Sequence, residues 1–474
     1  MHDYELLRRR HMADAMALAP EMIERLDWSA DRLAAHRQQK LRAIVAHAML
    51  GSPWHRERLA GVDLLHLDAD SLRELPTMTK RDLMDSFDRI VTDPRLTLAR
   101  VNAHFETVAE NGYLFDRYTA ITSGGSSGER GVFLYDWDGW ATFWLGCFRY
   151  LLRAKRSDPE LAARPLKIAW VMAGHFTHAT AALGRTFANP NVISYPFPVT
   201  LPIEEIVAGL NAVQPDFVNA YPSALHQLSF EAQAGRLRIS PRRVQSAAEP
   251  LLPEIRAAAE AAWGMRVGNL YGTSEGGGVA TPCDACRTHL SEDLMIVEPV
   301  DADGRPVAPG EPAAKVYLTN LYNRALPLIR YELTDEVTVL RERCRCGSAH
   351  RCVADIHGRL DDTFFYEGRP AHPHLFRTVL GRRGGIVEYQ VRQTPAGADI
   401  AVRCQAPVDL DELAREIEDR LLRLGLEAPE VTVDAVAQIE RTSGPAKLRR
   451  FVPLTGEPAY ASAGSSSATS LPLG

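Results

Sequence analysis

The chain has 474 residues, and 54 Lys+Arg against 60 Asp+Glu leave a formal net charge of −6. Hydrophobic residues are 46% and charged residues 24%, the balance of a soluble globular chain with room for about two to four domains. The acidity speaks against a nucleic-acid partner, and no apolar run of about 18 residues marks a membrane span. The charged start from Met1 to Arg10 has no apolar stretch behind it, so a cytoplasmic protein without a secretory signal is expected.

The first 60 residues read as helical, with Leu33, Leu41, Ile44, Val45 and Leu50 spaced among Ala, Arg and Gln. Thr79 is placed to cap a short helix from Lys80, with Asp82 in its first turn. Residues 133–135 and 168–172 are short apolar runs of the kind that form buried strands. Between them, residues 140–154 carry Trp144, Phe148, Leu151 and Leu152 at helical spacing. Residues 217–220 form a further strand, and a helix follows Pro222. Strands alternating with helices predict an α/β domain with a largely parallel sheet.

The character changes after about residue 360. Residues 387–391 and 400–402 alternate like half-exposed strands. Asp409, with Glu412 three residues on, opens a helix as a capping box would. Its stripe is Leu410, Leu413, Ile417, Leu421 and Leu424, and Gly425 ends it before a strand at 431–433. The expected division is a large N-terminal α/β domain over 1–360, a small mobile α+β domain over 361–455, and a disordered Ser/Ala/Gly tail over 456–474.

Three segments have the composition of a site. In Thr122-Ser123-Gly124-Gly125-Ser126-Ser127-Gly128, glycines let backbone N–H groups turn inward and hydroxyls add donors, a loop suited to phosphate oxygens. It lacks the Gly-Lys-Ser/Thr of a Walker loop, and by itself it reads equally as a Ser/Gly connector. In Asn269-Leu270-Tyr271-Gly272-Thr273-Ser274-Glu275-Gly276, a hydroxyl and a carboxylate two residues apart could hold a phosphate oxygen and its Mg²⁺, or lie in a plain polar turn. In Tyr331-Glu332-Leu333-Thr334-Asp335, the Asp could accept from ribose hydroxyls, though alone it reads as a surface carboxylate.

Taken together and in this order, the segments resemble the adenylate-forming superfamily, most closely its phenylacetate–CoA ligase branch, over about residues 75–453. Leu75-Pro76-Thr77-Met78-Thr79-Lys80-Arg81-Asp82-Leu83 looks like that branch's opening segment. The resemblance implies that Ala248-Glu249-Pro250 contacts adenine and that Tyr271 belongs to an aromatic-Gly-Thr-x-Glu motif. There Thr273 would touch the α-phosphate, Glu275 the Mg²⁺, and Asp335 the ribose. Gly358-Arg359-Leu360-Asp361-Asp362 matches the interdomain hinge, with Arg359 on ribose or phosphate and Asp361 as the pivot.

Two places depart from the pattern. The phosphate loop runs on as Gly128-Glu129-Arg130, where the superfamily often has Gly-Lys-Pro. Near the C-terminus, Gly444-Pro445-Ala446-Lys447 has no Gly directly before the Lys. Lys447 remains the match for the lysine that stabilises charge developing between carboxylate and α-phosphate.

Of seven cysteines, four form two tight pairs, Cys283-x-x-Cys286 and Cys344-x-Cys346. Two thiolate pairs suit a structural, tetrahedral Zn²⁺, and Cys346-Gly347 fits the Cys-x-Cys-Gly of some branch members. His289, His350 and Cys352 are substitute ligands if one thiolate points away. For the acid, His175, Phe176, Tyr195, Phe197 and Tyr221 are candidates to line an aromatic-sized cleft, though each also reads as a core aromatic.

The resemblance therefore implies ATP-dependent adenylation of a carboxylic acid, favouring an aromatic one, then thioester formation with CoA. The cofactors would be ATP, Mg²⁺, structural Zn²⁺ and CoA. The partner would be a small-molecule acid, with a homodimer or a carrier protein left open. Carrier-protein loading, amide formation or nitrite-dependent diazotisation keep the adenylation and change the acceptor or the substrate. A non-catalytic, zinc-braced nucleotide-binding protein is the reading of a different class.

Overall fold

The computed structural model describes residues 2–123, 131–172, 177–189, 191–356, 358, 362–381, 383, 385–441 and 448–454. They fall into two compact units, the first within Met1–His357 and the second taking in Gly358–Arg441 and residues 448–454.

The first unit opens with helices His2–Glu24, Ala30–Gly51 and Pro53–Arg58. Ser29 caps the second by accepting from the Arg32 N–H, and Ser52 caps the third, which begins on Pro53. Thr79 and Asp82 form a reciprocal capping box at the start of Lys80–Asp85. Strands β1 (Thr119–Thr122) and β2 (Val132–Tyr135) make an antiparallel ribbon. Asp136 then caps helix Trp137–Ser157 by accepting from the Gly139 N–H at 2.8 Å.

The main sheet begins with β3 (Leu166–Met172), β4 (Val192–Pro198), β5 (Phe217–Ala220), β6 (Arg243–Ala247) and β7 (Gly268–Thr273). β8 (Gly277–Pro282) and β9 (Thr288–Leu290) follow as antiparallel strands. A three-stranded antiparallel sheet intervenes, β10 (Met295–Val300), β11 (Lys315–Asn320) and β12 (Tyr331–Leu333). β13 (Cys352–Val353) then returns to the main sheet, whose order is β13-β9-β8-β7-β6-β5-β3-β4. The stretch β4-β3-β5-β6-β7 is parallel throughout, which explains the continuous apolar runs of β3 and β5. Helix Trp137–Ser157 packs directly on β8. A Cβ on Gly278 would come within 2.9 Å of the Gly146 carbonyl, so only glycine permits this approach.

In that packing the fully buried Arg149 places two N–H groups on the equally buried Asp293, at 2.7 and 2.8 Å. No helix among the described residues is long and apolar enough to cross a membrane.

The second unit has a ribbon, β14 (Phe364–Tyr366) with β15 (Arg369–Ala371), and helix His374–Leu380. Its four-stranded sheet is β18-β17-β16-β19, from β16 (Ile386–Gln393), β17 (Gly397–Cys404), β18 (Glu430–Ala435) and β19 (Phe451–Val452). Helix Leu410–Leu424 buries Leu413, Ile417 and Leu421 in that unit's core and ends on Gly425 at φ +98°. Asp409 accepts from the Glu412 N–H at 2.9 Å, but the Glu412 carboxylate pairs with Arg383 instead of completing the expected box.

Candidate nucleotide and metal sites

The end of β7 carries Tyr271 and Thr273, and the turn into β8 carries Glu275. Tyr271 and Asp335 are both buried, and the Tyr271 hydroxyl donates to Asp335 Oδ2 at 2.9 Å. Two motifs 64 residues apart in the chain thus meet at one point. The Thr273 hydroxyl accepts from the Gly276 N–H at 3.1 Å, and Glu275 is buried. The chain reverses on Gly277, at φ +67°. Glu275 offers a buried carboxylate oxygen, the hard donor that Mg²⁺ takes.

The carbonyls of this turn are held from outside it. Tyr135 donates to the Ser274 carbonyl at 2.6 Å, Asn320 to that of Glu275 at 3.0 Å, and Tyr322 to that of Gly276 at 3.1 Å. Sequence reasoning did not single out these three residues, because their partners come from other elements and leave no local pattern.

Of the Ser/Gly segment, Thr122 and Ser123 are described, and Gly124, Gly125, Ser126, Ser127 and Gly128 lie outside the described residues. Ser123 and Gly131 exchange two hydrogen bonds of 2.9 Å, pinning both ends of the segment together. Thr122 donates its N–H to the Thr177 carbonyl at 2.9 Å. A Cβ on Gly131 would meet Lys80 Cε at 3.1 Å, so the Lys80 stem runs beside Gly131.

Ala248 follows β6 in the left-handed region, at φ +69°. Glu249 accepts from the Ser223 N–H at 3.1 Å, at the first turn of helix Pro222–Gln233. A carboxylate there complements the helix dipole and ties the Ala248-Glu249-Pro250 segment to the Tyr221 segment. Tyr221 is buried at the carboxyl end of β5. Tyr195 and Phe197 lie one strand away from β5, and Phe197 packs against the core cluster that contains Tyr221. They lie on the edge strand β4, with β3, β5 and β6 between them and β7, and a Cβ on Gly209 would strike the Phe197 ring. His175, Phe176, Arg359, Asp361 and Lys447 lie outside the described residues.

The thiol cluster differs from the expected set. Ligand atoms of Cys283, His289, Cys344 and Cys346 lie within 4.8 Å of one another. Cys283 Sγ and Cys344 Sγ are 3.8 Å apart, and Cys346 Sγ is 3.4 Å from His289 Nε2. Cys286 is outside the group. It sits at φ +55° in a tight turn, and its thiol lies toward the Arg266 carbonyl at 3.5 Å. His289, on β9 and opposite Cys352 of β13, stands in the group instead. His289 Nδ1 donates to the His350 carbonyl at 2.9 Å, which leaves Nε2 as the coordinating atom. The Cys346 N–H donates to Cys344 Sγ at 3.5 Å. Burial alone would raise the Cys283 thiol, but the hydrogen bonds around it hold it below its ordinary value. Ligands on a tetrahedron with Zn–S bonds near 2.3 Å stand roughly 3.8 Å apart, so three thiols and one imidazole fit a closed zinc site. His350 is engaged elsewhere, accepting from the Glu292 N–H at 3.2 Å.

No family model matches the chain. A phenylacetate–coenzyme A ligase from Thermus thermophilus is 25% identical over 415 residues, covering 83% of this chain and 83% of its own. One from Aromatoleum evansii is 27% identical over 357 residues, covering 72% of this chain and 73% of its own. A solved 2-hydroxyisobutyryl-CoA ligase, in its postadenylation state with 2-HIB-AMP, aligns at TM-score 0.68 and 19% identity over 90% of this chain and 91% of its own. At that identity the alignment speaks for the fold.

Proposed function

The chain is a homologue of the phenylacetate–coenzyme A ligases with the fold of the adenylate-forming ligases, and from this premise we propose that it is an AMP-forming acid–CoA ligase acting on an aromatic acid. In the first step a carboxylate oxygen of the acid attacks the α-phosphorus of ATP. The bond to the β-phosphate breaks, and pyrophosphate leaves with that electron pair. In the second, the sulfur of CoA attacks the acyl carbonyl, the carbon–oxygen bond to AMP breaks, and the thiol proton is released.

The observation that carries this reading is the bond from Tyr271 to Asp335, which brings the aromatic-Gly-Thr-x-Glu motif to the carboxylate that would take the ribose. Thr273 would face the α-phosphate and Glu275 would hold Mg²⁺, which neutralises phosphate charge when bound. By sequence match, Lys447 supplies the cation for adenylation, and rotation about Asp361 separates the two half-reactions. The aromatic acid rests on the substrate named for the relatives and on Tyr221 at the end of β5. A structural zinc would be held by Cys283, His289, Cys344 and Cys346.

Pyrophosphate release over a panel of aryl acids, with and without CoA, an amine or nitrite, tests the proposal. Acyl-CoA formation from an aryl acid is expected. Turnover without CoA and without acyl-CoA product would sink it in favour of another acceptor. Silence across the panel with ATP still bound would favour the non-catalytic reading.

A further inference from the structure

Three successive backbone carbonyls, those of Ser274, Glu275 and Gly276, each accept from a different side chain of another element. We propose that Tyr135, Asn320 and Tyr322 are positioning residues that fix the Glu275 turn for Mg²⁺ and the α-phosphate. The inference rests on the ligase reading and extends it to residues that touch neither metal nor nucleotide.

The donors form one lattice. Asn320 gives its amide N–H to the Glu275 carbonyl, while its Oδ1 accepts from the N–H groups of Tyr322 and Asn323 at 3.0 and 2.9 Å. Asn323 in turn donates to the Leu134 carbonyl of β2 at 2.9 Å. Asn320 and Asn323 are fully buried, and the rings of Tyr135 and Tyr322 stack at 6.3 Å. Thus β2, which leaves the Ser/Gly segment, and the β7–β8 turn are held by the same side chains. Burial drives both phenols well above their ordinary range, so they remain O–H donors at any working pH.

The physical need is plain. A turn of Thr273-Ser274-Glu275-Gly276-Gly277 contains two glycines and is soft, and buried carbonyls left without donors would let it rearrange. A carboxylate displaced by about 1 Å loses much of its hold on a metal that demands near-ideal geometry.

The test uses the full chain and the variants Tyr135→Phe, Tyr322→Phe and Asn320→Ala. Tyr366→Phe is the matched control, since Tyr366 donates to the Gly397 carbonyl at the same 2.6 Å in the second unit. Calorimetry of ATP binding at increasing Mg²⁺ needs no acid substrate, and pyrophosphate release is read beside it. We expect the Mg²⁺ requirement of Tyr135→Phe to rise roughly tenfold, the worth of one good hydrogen bond, with excess Mg²⁺ restoring binding. Tyr366→Phe should lose stability without that shift. An unchanged Mg²⁺ requirement in Tyr135→Phe and Tyr322→Phe, or an equal shift in Tyr366→Phe, overturns the inference. Should Asn320→Ala fail to fold, the two phenol variants decide. Wild-type protein that binds Mg·ATP but releases no pyrophosphate would refute the ligase reading and leave this comparison intact.

Discussion

Cys283 Sγ lies 3.8 Å from Cys344 Sγ although the two residues are 61 positions apart. With Cys346 and His289 they bring four donor atoms within 4.8 Å of one another, and Cys286 stands aside. Purified protein should therefore carry about one equivalent of zinc by metal analysis. Cys286→Ser should keep it, whereas His289→Ala or Cys344→Ser should lose it and lower the melting temperature. Retention in His289→Ala together with loss in Cys286→Ser would restore the four-thiolate arrangement.

The pair of Arg149 and Asp293 gives a prediction about acid stability. Burial alone would raise the Asp293 carboxyl, but Arg149 holds it down to about 2, from an ordinary 3.8. A depressed carboxyl stabilises the folded state above its unfolded value, and that stability drains away as pH falls from about 4 toward 2. Asp293→Asn should flatten the acid-unfolding curve in this window. At neutral pH it should destabilise by about 3–5 kcal/mol, because a buried guanidinium loses its partner. Denaturant unfolding at pH 7 and pH 3 measures both effects.

What the sequence disclosed follows from the range of each interaction. The Thr79–Asp82 box, the Asp409 cap and the Leu413, Ile417 and Leu421 stripe depend on neighbours within a few positions, so local spacing carried them. The runs in β3 and β5 were readable because both faces of a parallel strand are buried. The position of Tyr195 on the edge strand depends on strand order, which no local pattern encodes. Cys286 looked like a ligand by spacing, and the turn that removes it was not visible. Tyr135, Asn320 and Tyr322 act across 45 to 139 positions, and nothing near them in the chain announces it.

Lys80 and Lys447 should separate in kinetics. Lys80 runs beside Gly131 at the end of the Ser/Gly segment, and that segment lacks the usual lysine of its own. Lys80→Met should raise the KM for ATP by roughly tenfold with a smaller change in kcat, as expected for a lost charge-assisted hydrogen bond. Lys447→Ala should lower kcat for adenylation by about 10²–10³, while thiolysis of supplied acyl-adenylate persists. Steady-state pyrophosphate release and acyl-CoA formation from synthetic adenylate distinguish the two. Equal loss of both half-reactions in Lys447→Ala would remove its assigned role.

The Tyr271–Asp335 bond makes the last prediction. Removing the hydroxyl in Tyr271→Phe keeps the ring and takes one donor from the Asp335 carboxylate. A hydrogen bond to a charged acceptor contributes about 1.5–3 kcal/mol, so the KM for ATP should rise roughly tenfold or more. Asp335→Asn should impair binding by a similar factor. If the hydroxyl acts by holding the carboxylate, the double variant should be little worse than either single one, because the two residues form one unit. Discrimination between ATP and 2′-deoxy-ATP should also narrow in Tyr271→Phe, since a carboxylate held less firmly reads the ribose less strictly. Additive losses, or unchanged discrimination, would mean that Tyr271 serves through its ring alone.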